Sequence, residues 1–203
     1  MTIAIVPVKR FEQGKSRLAP VLPDAKRERF VVSLFDHVLD VLARAPSITR
    51  TLVITDDARV AARSVARGAE PVVDEVAGAL GAAVRLGLSR REGLPAIVLM
   101  GDLPLLQESE IERLAARLAD SAVVLAPDAR DEGTNALALA AGISLPTFFG
   151  RGDSFPDHVS AARSAGLSLG IERSEGLAFD VDSPDDWRRL EAMRAPRVAG
   201  VGR

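Results

Sequence analysis

The stretch Ala96-Ile-Val-Leu-Met-Gly-Asp-Leu-Pro-Leu105 has the pattern of a buried strand that carries an acid at its carboxyl end. Five apolar residues follow one another before Gly101, which is typical of a parallel strand that is covered on both faces. Asp102 comes next, and Pro104 stiffens the turn beyond it. Ligands of open parallel sheets bind at the carboxyl ends of the strands, so Asp102 is a candidate binding-site residue.

Similar apolar runs alternate with helical patterns along most of the chain. They predict strands at residues 3–8, 51–55, 70–73, 96–100 and 122–126. Apolar residues at helical spacing predict helices at residues 24–45, 57–67, 76–91 and 108–118. This alternation predicts an α/β fold, a single-domain doubly wound, mostly parallel sheet with helices on both faces.

The rhythm changes in the second half of the chain. Residues 135–141 alternate weakly, a helix is predicted over about 156–165, and an acid-bearing strand follows. We expect one domain over residues 1–193, with a nucleotide-binding half (1–126) and an acceptor-binding half (127–193). Residues 194–203 contain a proline and two glycines and are predicted to be a flexible tail.

Composition excludes several classes of protein. The chain of 203 residues has a net charge of −2, which gives no electrostatic footprint for nucleic acid or an anionic membrane. The absence of cysteine excludes disulfides and zinc–thiolate sites. No apolar run reaches membrane-spanning length, and the N-terminus runs into a strand pattern without a charged leader. We therefore expect a cytoplasmic enzyme or binding domain without nucleic-acid or membrane partners.

A second acidic motif is Asp180-Val-Asp182, which is followed by Ser183-Pro184. On an extended segment, both carboxylates point to one face while the alternating apolar residues point to the core. Two like charges held this close favour a cation between them, and oxygen ligation is the preference of Mg²⁺. The alternative is a strand end that runs into a helix cap, with Pro184 at the first helical position. Together with Asp102, the pair predicts a site of three carboxylates.

The loop after the first strand is basic. Lys9, Lys15 and Arg17 concentrate positive charge that suits a polyphosphate, and Gly14 permits close approach of a backbone. With Ser16, they are the candidate nucleotide-binding residues. The Gly-Lys-Ser sequence lacks the preceding glycine of a Walker loop and the glycine triplet of a dinucleotide fingerprint. An ordinary exposed basic loop is the alternative interpretation.

Five motifs occur in an order that resembles a known family. They are Pro-x-Lys-x5-Lys-Ser-Arg-Leu18, Gly101-Asp-Leu-Pro, Asp131-Glu-Gly-Thr-Asn-Ala-Leu137, Phe149-Gly-Arg-Gly-Asp-Ser-Phe155 and Phe179-Asp-Val-Asp-Ser-Pro184. The chain resembles the 2-phospho-L-lactate or phosphoenolpyruvate guanylyltransferases that make the GTP-activated acceptor for coenzyme F-420. The resemblance implies the fold of the MobA-like nucleotide-diphospho-sugar transferases.

The resemblance also implies roles for individual residues. Asp102, Asp180 and Asp182 would hold Mg²⁺. Thr134, Gly150 and Ser154 would bind the carboxylate and phosphate of the acceptor, and the choice between Gly150 and Gly152 stays open. In the implied reaction, Lys15, Arg17 and Asp102 are the catalytic residues, and both basic side chains would hold the β- and γ-phosphates of GTP.

The implied reaction is attack by the acceptor's phosphate on the α-phosphorus of GTP, with release of pyrophosphate. An ionised phosphate needs no general base, and both histidines, His37 and His158, are interpreted as structural or surface residues. Phosphoenolpyruvate is the predicted acceptor, and 2-phospho-L-lactate the alternative. Two other readings stay open: a nucleotidyltransferase for a pterin or sugar phosphate, and a nucleotide-binding regulatory module. The oligomeric state also stays open between a monomer and a homo-oligomer.

Overall fold

The computed structural model describes residues 1–73 and 79–194, and these build one seven-stranded sheet. The strands are β1 (Thr2–Pro7), β2 (Ile48–Thr55), β3 (Glu70–Val73), β4 (Ala96–Leu99), β5 (Val123–Pro127), β6 (Thr134–Leu139) and β7 (Leu169–Ile171). Their order in the sheet is β3-β2-β1-β4-β6-β5-β7. Only β6 runs antiparallel to its neighbours, β4 and β5. The predicted mostly parallel sheet is therefore confirmed.

Helices cover both faces of this sheet, as the alternation predicts. They are α1 (Asp24–Arg44), α2 (Ala58–Val65), α3 (Leu80–Ser89), α4 (Glu108–Arg117), α5 (Ser154–Ser164), α6 (Glu175–Ala178) and α7 (Pro184–Arg194). One apolar core joins the sheet to α1, α2 and α4, and a second joins its other face to α3 and α5. No helix within the described ranges is long and apolar enough to cross a membrane.

Several elements and boundaries differ from the sequence-based expectation. The helix predicted from residue 76 starts at Leu80, and its expected first turn falls on residues 74–78, outside the described residues. β7 was not predicted, because three residues offer too little pattern to recognise. Of the predicted tail, Arg194 is the last residue of α7, and residues 195–203 lie outside the described residues.

The predicted acid-bearing strand is the main error in the secondary structure. Its expected beginning forms the short helix α6, and the residues after α6 join no strand in the described part of the chain. The predicted alternation of faces is nevertheless correct. Phe179 and Val181 are buried, whereas Asp180 and Asp182 stay partly exposed. Burial of the apolar side chains, and not pairing with a strand, keeps this segment extended.

A third apolar cluster fastens the basic loop to the acidic segment. Leu18 from the loop, Phe30 from α1, and Phe179 and Val181 from the acidic segment share it. Trp187 of α7 packs edge-on against Phe30, with 4.8 Å between the ring centroids. Two segments that are far apart in sequence are therefore held side by side by apolar packing.

Glu110 at the start of α4 ties the acidic segment to the loop that follows Asp102. The buried carboxylate accepts hydrogen bonds from the backbone N–H groups of Gln107 at 2.8 Å and Gly176 at 3.0 Å. Gly176 leaves room for this contact, since a Cβ there would lie 2.0 Å from Glu110 Oε2 and 2.6 Å from the carbonyl oxygen of Leu105. Backbone atoms cannot yield as a flexible side chain would, so this position requires glycine.

Gly176→Ala should therefore lower the free energy of unfolding by about 1–3 kcal/mol or more, the usual cost of overpacking a filled site. Chemical denaturation followed by circular dichroism measures this change. Gly152→Ala is the matched control, because a Cβ there meets nothing within 4 Å. Equal stability of the Gly176 variant and the wild-type chain would show that Glu110 does not fix this segment.

Candidate active site

The centre of the site is the ammonium group of Lys15, which lies between two carboxylates. Its Nζ atom is 2.5 Å from Asp102 Oδ2 and 2.5 Å from Asp182 Oδ1. Asp102 follows the carboxyl end of β4, and Asp182 precedes α7. The Lys15 side chain is only 7% exposed. Three distant segments thus meet at one buried cation.

Lys15 is also held in an unusual backbone conformation. Its φ of 54° lies in the left-handed region, between the short 3-10 turns Phe11–Gln13 and Ser16–Leu18. Non-glycine residues adopt this conformation at a cost of about 1–3 kcal/mol, and such strain clusters at functional sites. Burial of Leu18 in the third core cluster anchors the second turn and so holds Lys15 in place.

The charges around Lys15 do not balance. Burial alone would lower the pKa of Lys15, but Asp102 and Asp182 outweigh it and hold the pKa above its ordinary value. For Asp180 the surroundings favour the neutral form instead. Burial, followed by the negative charges of Asp102 and Asp182, raises the pKa of this carboxyl group to about 6. Lys15 brings one positive charge to three carboxylates and contacts Asp102 and Asp182, so Asp180 is left without enough positive charge.

Asp182 is fixed by the start of α7. Asp186 Oδ2 accepts hydrogen bonds from the backbone N–H of Asp182 at 3.2 Å and from the N–H of Ser183 at 2.8 Å. In return, Ser183 Oγ accepts a hydrogen bond from the N–H of Asp186 at 3.2 Å. The predicted cap of Ser183 before Pro184 is confirmed. The cap also orients Asp182, so the helix-cap interpretation is compatible with an acidic site at this position.

Two cavities share the acid Asp182, which pairs with Lys15. The lysine cavity, of about 230 Å³, is lined by Lys9, Gly14, Lys15, Gly101 and Asp102 among others. The arginine cavity, of about 500 Å³, is lined by four arginines (Arg17, Arg130, Arg151 and Arg189) and by five acids (Asp128, Glu132, Asp180, Asp182 and Asp186). Asp182 lines both cavities, so a phosphate group in either of them would share this acid as a neighbour.

The five loop residues predicted to bind nucleotide separate in the structure. Lys9, Gly14 and Lys15 line the lysine cavity, whereas Arg17 lines the arginine cavity, with its Nη1 atom 4.0 Å from Asp182 Oδ2. Ser16 is exposed and lines neither cavity. Packing also favours glycine at position 14, because a Cβ there would lie 2.9 Å from Val31 Cγ2 of α1.

Thr134 and Ser154, predicted to bind the acceptor, contact each other below the surface. The backbone N–H of Thr134 donates to Ser154 Oγ at 2.9 Å, and Thr134 Oγ1 lies 2.9 Å from His158 Nδ1. All three side chains are buried. The N–H of Phe148 donates to His158 Nε2 at 3.0 Å, and burial lowers the pKa of His158 to about 4. His158 is thus a neutral structural residue, as predicted.

The glycines of the second half lie in the wall of the arginine cavity. Gly150 and Gly152 both line it, so the structure favours neither over the other. Gly150 has a φ of 88°, which favours glycine at this turn. The Thr134–Ser154–His158 network lies behind this wall, and its bond to the N–H of Phe148 fixes the segment that leads into Gly150.

Sequence reasoning missed the loop between β5 and β6 as part of the site. Asp128 folds this loop by accepting hydrogen bonds from the N–H groups of Arg130 and Glu132, each at 3.0 Å, and of Gly133 at 2.9 Å. Arg130 is thereby placed in the wall of the arginine cavity. The Asp-x-x-x-x-Gly spacing was the available signal, because aspartate commonly closes such turns on its own backbone.

Comparison with known proteins decides the family. The model of the family described as "Guanylyl transferase CofC like" matches residues 2–193. The chain belongs to this family. The CofC-like chain is 40% identical over 198 residues to a phosphoenolpyruvate guanylyltransferase of Sphaerobacter thermophilus, which covers 96% of this chain and 94% of that protein. It is 35% identical over 202 residues to a 3-phospho-D-glycerate guanylyltransferase of Phenylobacterium zucineum, with 97% and 91% covered.

Solved structures confirm the fold class that the motifs implied. A crystal structure from Desulfovibrio desulfuricans G20, named as a nucleotide-diphospho-sugar transferase, superposes with a TM-score of 0.81 at 17% identity. The match covers 97% of this chain and 89% of that one. At this identity the likeness shows the fold alone. The guanylyltransferase resemblance itself is confirmed by the family model and the sequence relatives.

The three acids of this CofC-like chain are not arranged as a preformed metal-binding site. Within residues 1–73 and 79–194, no group of three or more His, Cys, Asp or Glu side chains is arranged to hold a metal ion. The Lys15 ammonium occupies the space between Asp102 and Asp182. Sequence reasoning recognised the acids but assigned the lysine to phosphates alone.

Because the charges do not balance, we expect removal of Asp180 and removal of Asp182 to change the free energy of unfolding in opposite directions. A carboxyl group whose pKa is raised by folding destabilises the fold once it ionises, so the loss begins near pH 3.8 and is complete above about pH 6. Asp180→Asn should then raise the free energy of unfolding at pH 8 by about 3 kcal/mol and leave it unchanged below pH 3.8. Asp182→Asn should instead lower it by about 1–2 kcal/mol, because Lys15 loses a partner.

Chemical denaturation at both pH values, with a chelator present, measures these changes. The two variants make the same isosteric change two residues apart, so each controls for the other. Destabilisation of equal size in both variants at pH 8 would contradict the assignment of Asp180 as the unneutralised acid.

Proposed function

We propose that this chain transfers GMP from GTP to the phosphate of phosphoenolpyruvate, releasing pyrophosphate and forming enolpyruvyl-diphospho-5′-guanosine for coenzyme F-420 biosynthesis. Membership of the guanylyl transferase family supports the reaction type, and the named relative at 40% identity supports the acceptor. The observation that carries the proposal is Asp182, which lines both cavities and pairs with Lys15, itself paired with Asp102. A transfer between two phosphorylated molecules requires one such shared centre.

The lysine cavity is the proposed place of the GTP phosphates. Lys9 and Lys15 line it, and the loop backbone runs along it at Gly14. Nucleophile and electrophile are both anions, so their repulsion is the main obstacle to reaction. A phosphate oxygen of the acceptor forms the new bond to the α-phosphorus, and the bond to the β-phosphate bridging oxygen breaks. Lys15 reduces the repulsion through its charge, and the ionised acceptor needs no general base.

The arginine cavity is the proposed place of the acceptor. Arg17, Arg130 and Arg151 supply positive charge, while the backbone amides at Gly150 and Gly152 supply neutral donors. Thr134 bonds to Ser154 and to His158, so we assign Thr134 and Ser154 the shaping of this wall from behind. Direct contact with the acceptor would require their hydroxyl groups to exchange these partners.

Mg²⁺ is the proposed cofactor, and the residues present suit it. This ion takes oxygen ligands, usually one or two carboxylates together with substrate phosphates. Asp180 is the acid that Lys15 leaves unneutralised, and Asp102 and Asp182 lie close enough to raise its pKa. These three would hold the ion, which when bound would neutralise phosphate charge. Entry of the ion would require Lys15 to release at least one of its two partners.

Pyrophosphate release with GTP and phosphoenolpyruvate tests the reaction and its metal together. We expect activity that vanishes with a chelator, returns with Mg²⁺, and falls by about 100-fold or more in Asp102→Asn, as for loss of a group that stabilises transferring phosphate. Asp120→Asn, an exposed acid at the end of α4, is the matched control and should be fully active. Full activity under chelation would overturn the metal proposal, and no turnover with any acceptor would favour a regulatory module.

The acceptor is tested by a panel at matched GTP and Mg²⁺ concentrations. Phosphoenolpyruvate should have the highest kcat/KM, followed by 2-phospho-L-lactate and 3-phospho-D-glycerate. A phosphate monoester without the carboxylate should react poorly, because donors built for the carboxylate are left unpaired. Arg151→Ala should raise the KM for phosphoenolpyruvate by about tenfold and leave that for GTP unchanged.

The matched control for the panel is Arg163→Ala, an exposed arginine on α5 that lines neither cavity. Preference for 2-phospho-L-lactate would change the acceptor but not the mechanism. Turnover of a pterin or sugar phosphate alone would overturn the acceptor class. Preference for 3-phospho-D-glycerate is the second candidate, favoured by a further cavity of about 630 Å³ that shares Arg130 and Arg189 with the arginine cavity and would give a longer acid more room.

A further inference from the structure

A separate cavity of about 430 Å³ lies beyond the end of α3, away from the catalytic centre. It is bounded by the last turn of α3 and by residues 139–147, which follow β6. Leu139 pairs with Ala96, the first residue of β4, whereas Asp102 follows the last residue of the same strand. None of the residues that line this cavity lines the lysine or the arginine cavity. It is therefore distinct from the cleft, the name used here for the lysine and arginine cavities together.

The charge of this cavity is one-sided. Arg85 and Arg91 both line it, and no described lining residue is acidic. Within residues 1–73 and 79–194, neither guanidinium lies within 4.0 Å of a carboxylate. Most of the other arginines in the described residues pair with an acid, as Arg50 does with Glu70 at 3.0 Å. Two guanidinium groups without such a partner among the described residues therefore line one cavity.

Arg91 is the stronger of the two observations, because it is only 8% exposed. Its guanidinium donates hydrogen bonds to the carbonyl oxygens of Ile143 and, at 3.5 Å, Ala140. Carbonyl groups satisfy some of its donors but bring no negative charge. A buried cation without a counter-ion is costly, so the fold keeps a charge here that packing alone does not require.

A second, independent observation comes from Thr147. Its Oγ1 atom is buried and has no hydrogen-bond partner among the described residues, although buried hydroxyl groups are nearly always paired. Thr147 lines the same cavity as Arg91. An unpaired hydroxyl and an unneutralised guanidinium in one cavity are the polar contacts that a bound anion would complete.

The rest of the lining limits the size and nature of the ligand. Leu88, Ile143, Leu145 and Pro146 supply apolar surface beside the polar end. A bare inorganic ion would leave this surface in contact with water, whereas an aliphatic chain would cover it. We propose that this cavity is a second ligand site, which binds a small organic anion whose phosphate or carboxylate contacts Arg85, Arg91 and Thr147 and whose aliphatic part covers Leu88 and Leu145.

Calorimetric titration of hexyl phosphate into the full chain tests this site, with inorganic phosphate and hexanol as probes of the two ends. Hexyl phosphate should bind saturably, inorganic phosphate more weakly, and hexanol without measurable heat. Arg85→Ala should weaken hexyl phosphate binding by about tenfold, the effect of one lost charge-assisted hydrogen bond. Arg85 is exposed, so this variant should fold normally. Thr147→Val should weaken binding without loss of stability.

Two control variants separate this cavity from other basic surface. Arg90→Ala removes an exposed arginine at the end of α3 that does not line the cavity, and Arg17→Ala removes one from the cleft. Both should bind hexyl phosphate as the wild-type chain does. Loss of binding in Arg17→Ala with full binding in Arg85→Ala would place the ligand in the cleft and overturn the site. Absence of saturable binding to the wild-type chain would also overturn it. Neither result depends on the guanylyl transfer proposed for the cleft.

Discussion

The contact of one ammonium group with two carboxylates organises this molecule. Lys15 is separated by 87 residues from Asp102 and by 167 residues from Asp182, yet it bonds to both. The two acids belong to different segments, and a different structural element holds each of them. The end of β4 places Asp102, while the cap formed by Ser183 and Asp186 places Asp182. Lys15 reaches both acids because each of the three segments is held in place by contacts of its own.

The supports of this centre lie outside it and are largely apolar. The third core cluster holds the basic loop against the acidic segment, and Glu110 ties that segment to the turn after Asp102. The strained backbone of Lys15 persists because this packing outweighs its cost. What the arrangement leaves over is negative charge on Asp180, whose pKa is raised by burial and by its two acidic neighbours. In the proposed reaction, that surplus is what attracts a divalent cation.

Sequence reasoning predicted the sheet, its helices and the alternating faces of residues 179–182, because those depend on local hydrophobic periodicity. It wrongly predicted a strand for the acidic segment, since the same alternation arises when Phe179 and Val181 are buried without strand pairing. It did not predict that Lys15 contacts Asp102, nor that Arg17 and Gly14 face different cavities. Those facts depend on how distant segments meet, which no local pattern contains. The family motifs identified Thr134 and Ser154 but could not show that the Thr134 hydroxyl contacts buried His158 and that Ser154 Oγ accepts from the backbone N–H of Thr134.

The central claim is that guanylyl transfer takes place at the Lys15 centre. The most direct measurement is the rate of GMP transfer from GTP to phosphoenolpyruvate by Lys15→Met, which keeps an unbranched side chain one atom shorter and removes its charge. The rate should fall by about 100-fold or more, as expected for loss of a preorganised charge at a transferring phosphate, while circular dichroism shows an unchanged fold. A folded Lys15→Met chain that transfers GMP at close to the wild-type rate would contradict the account.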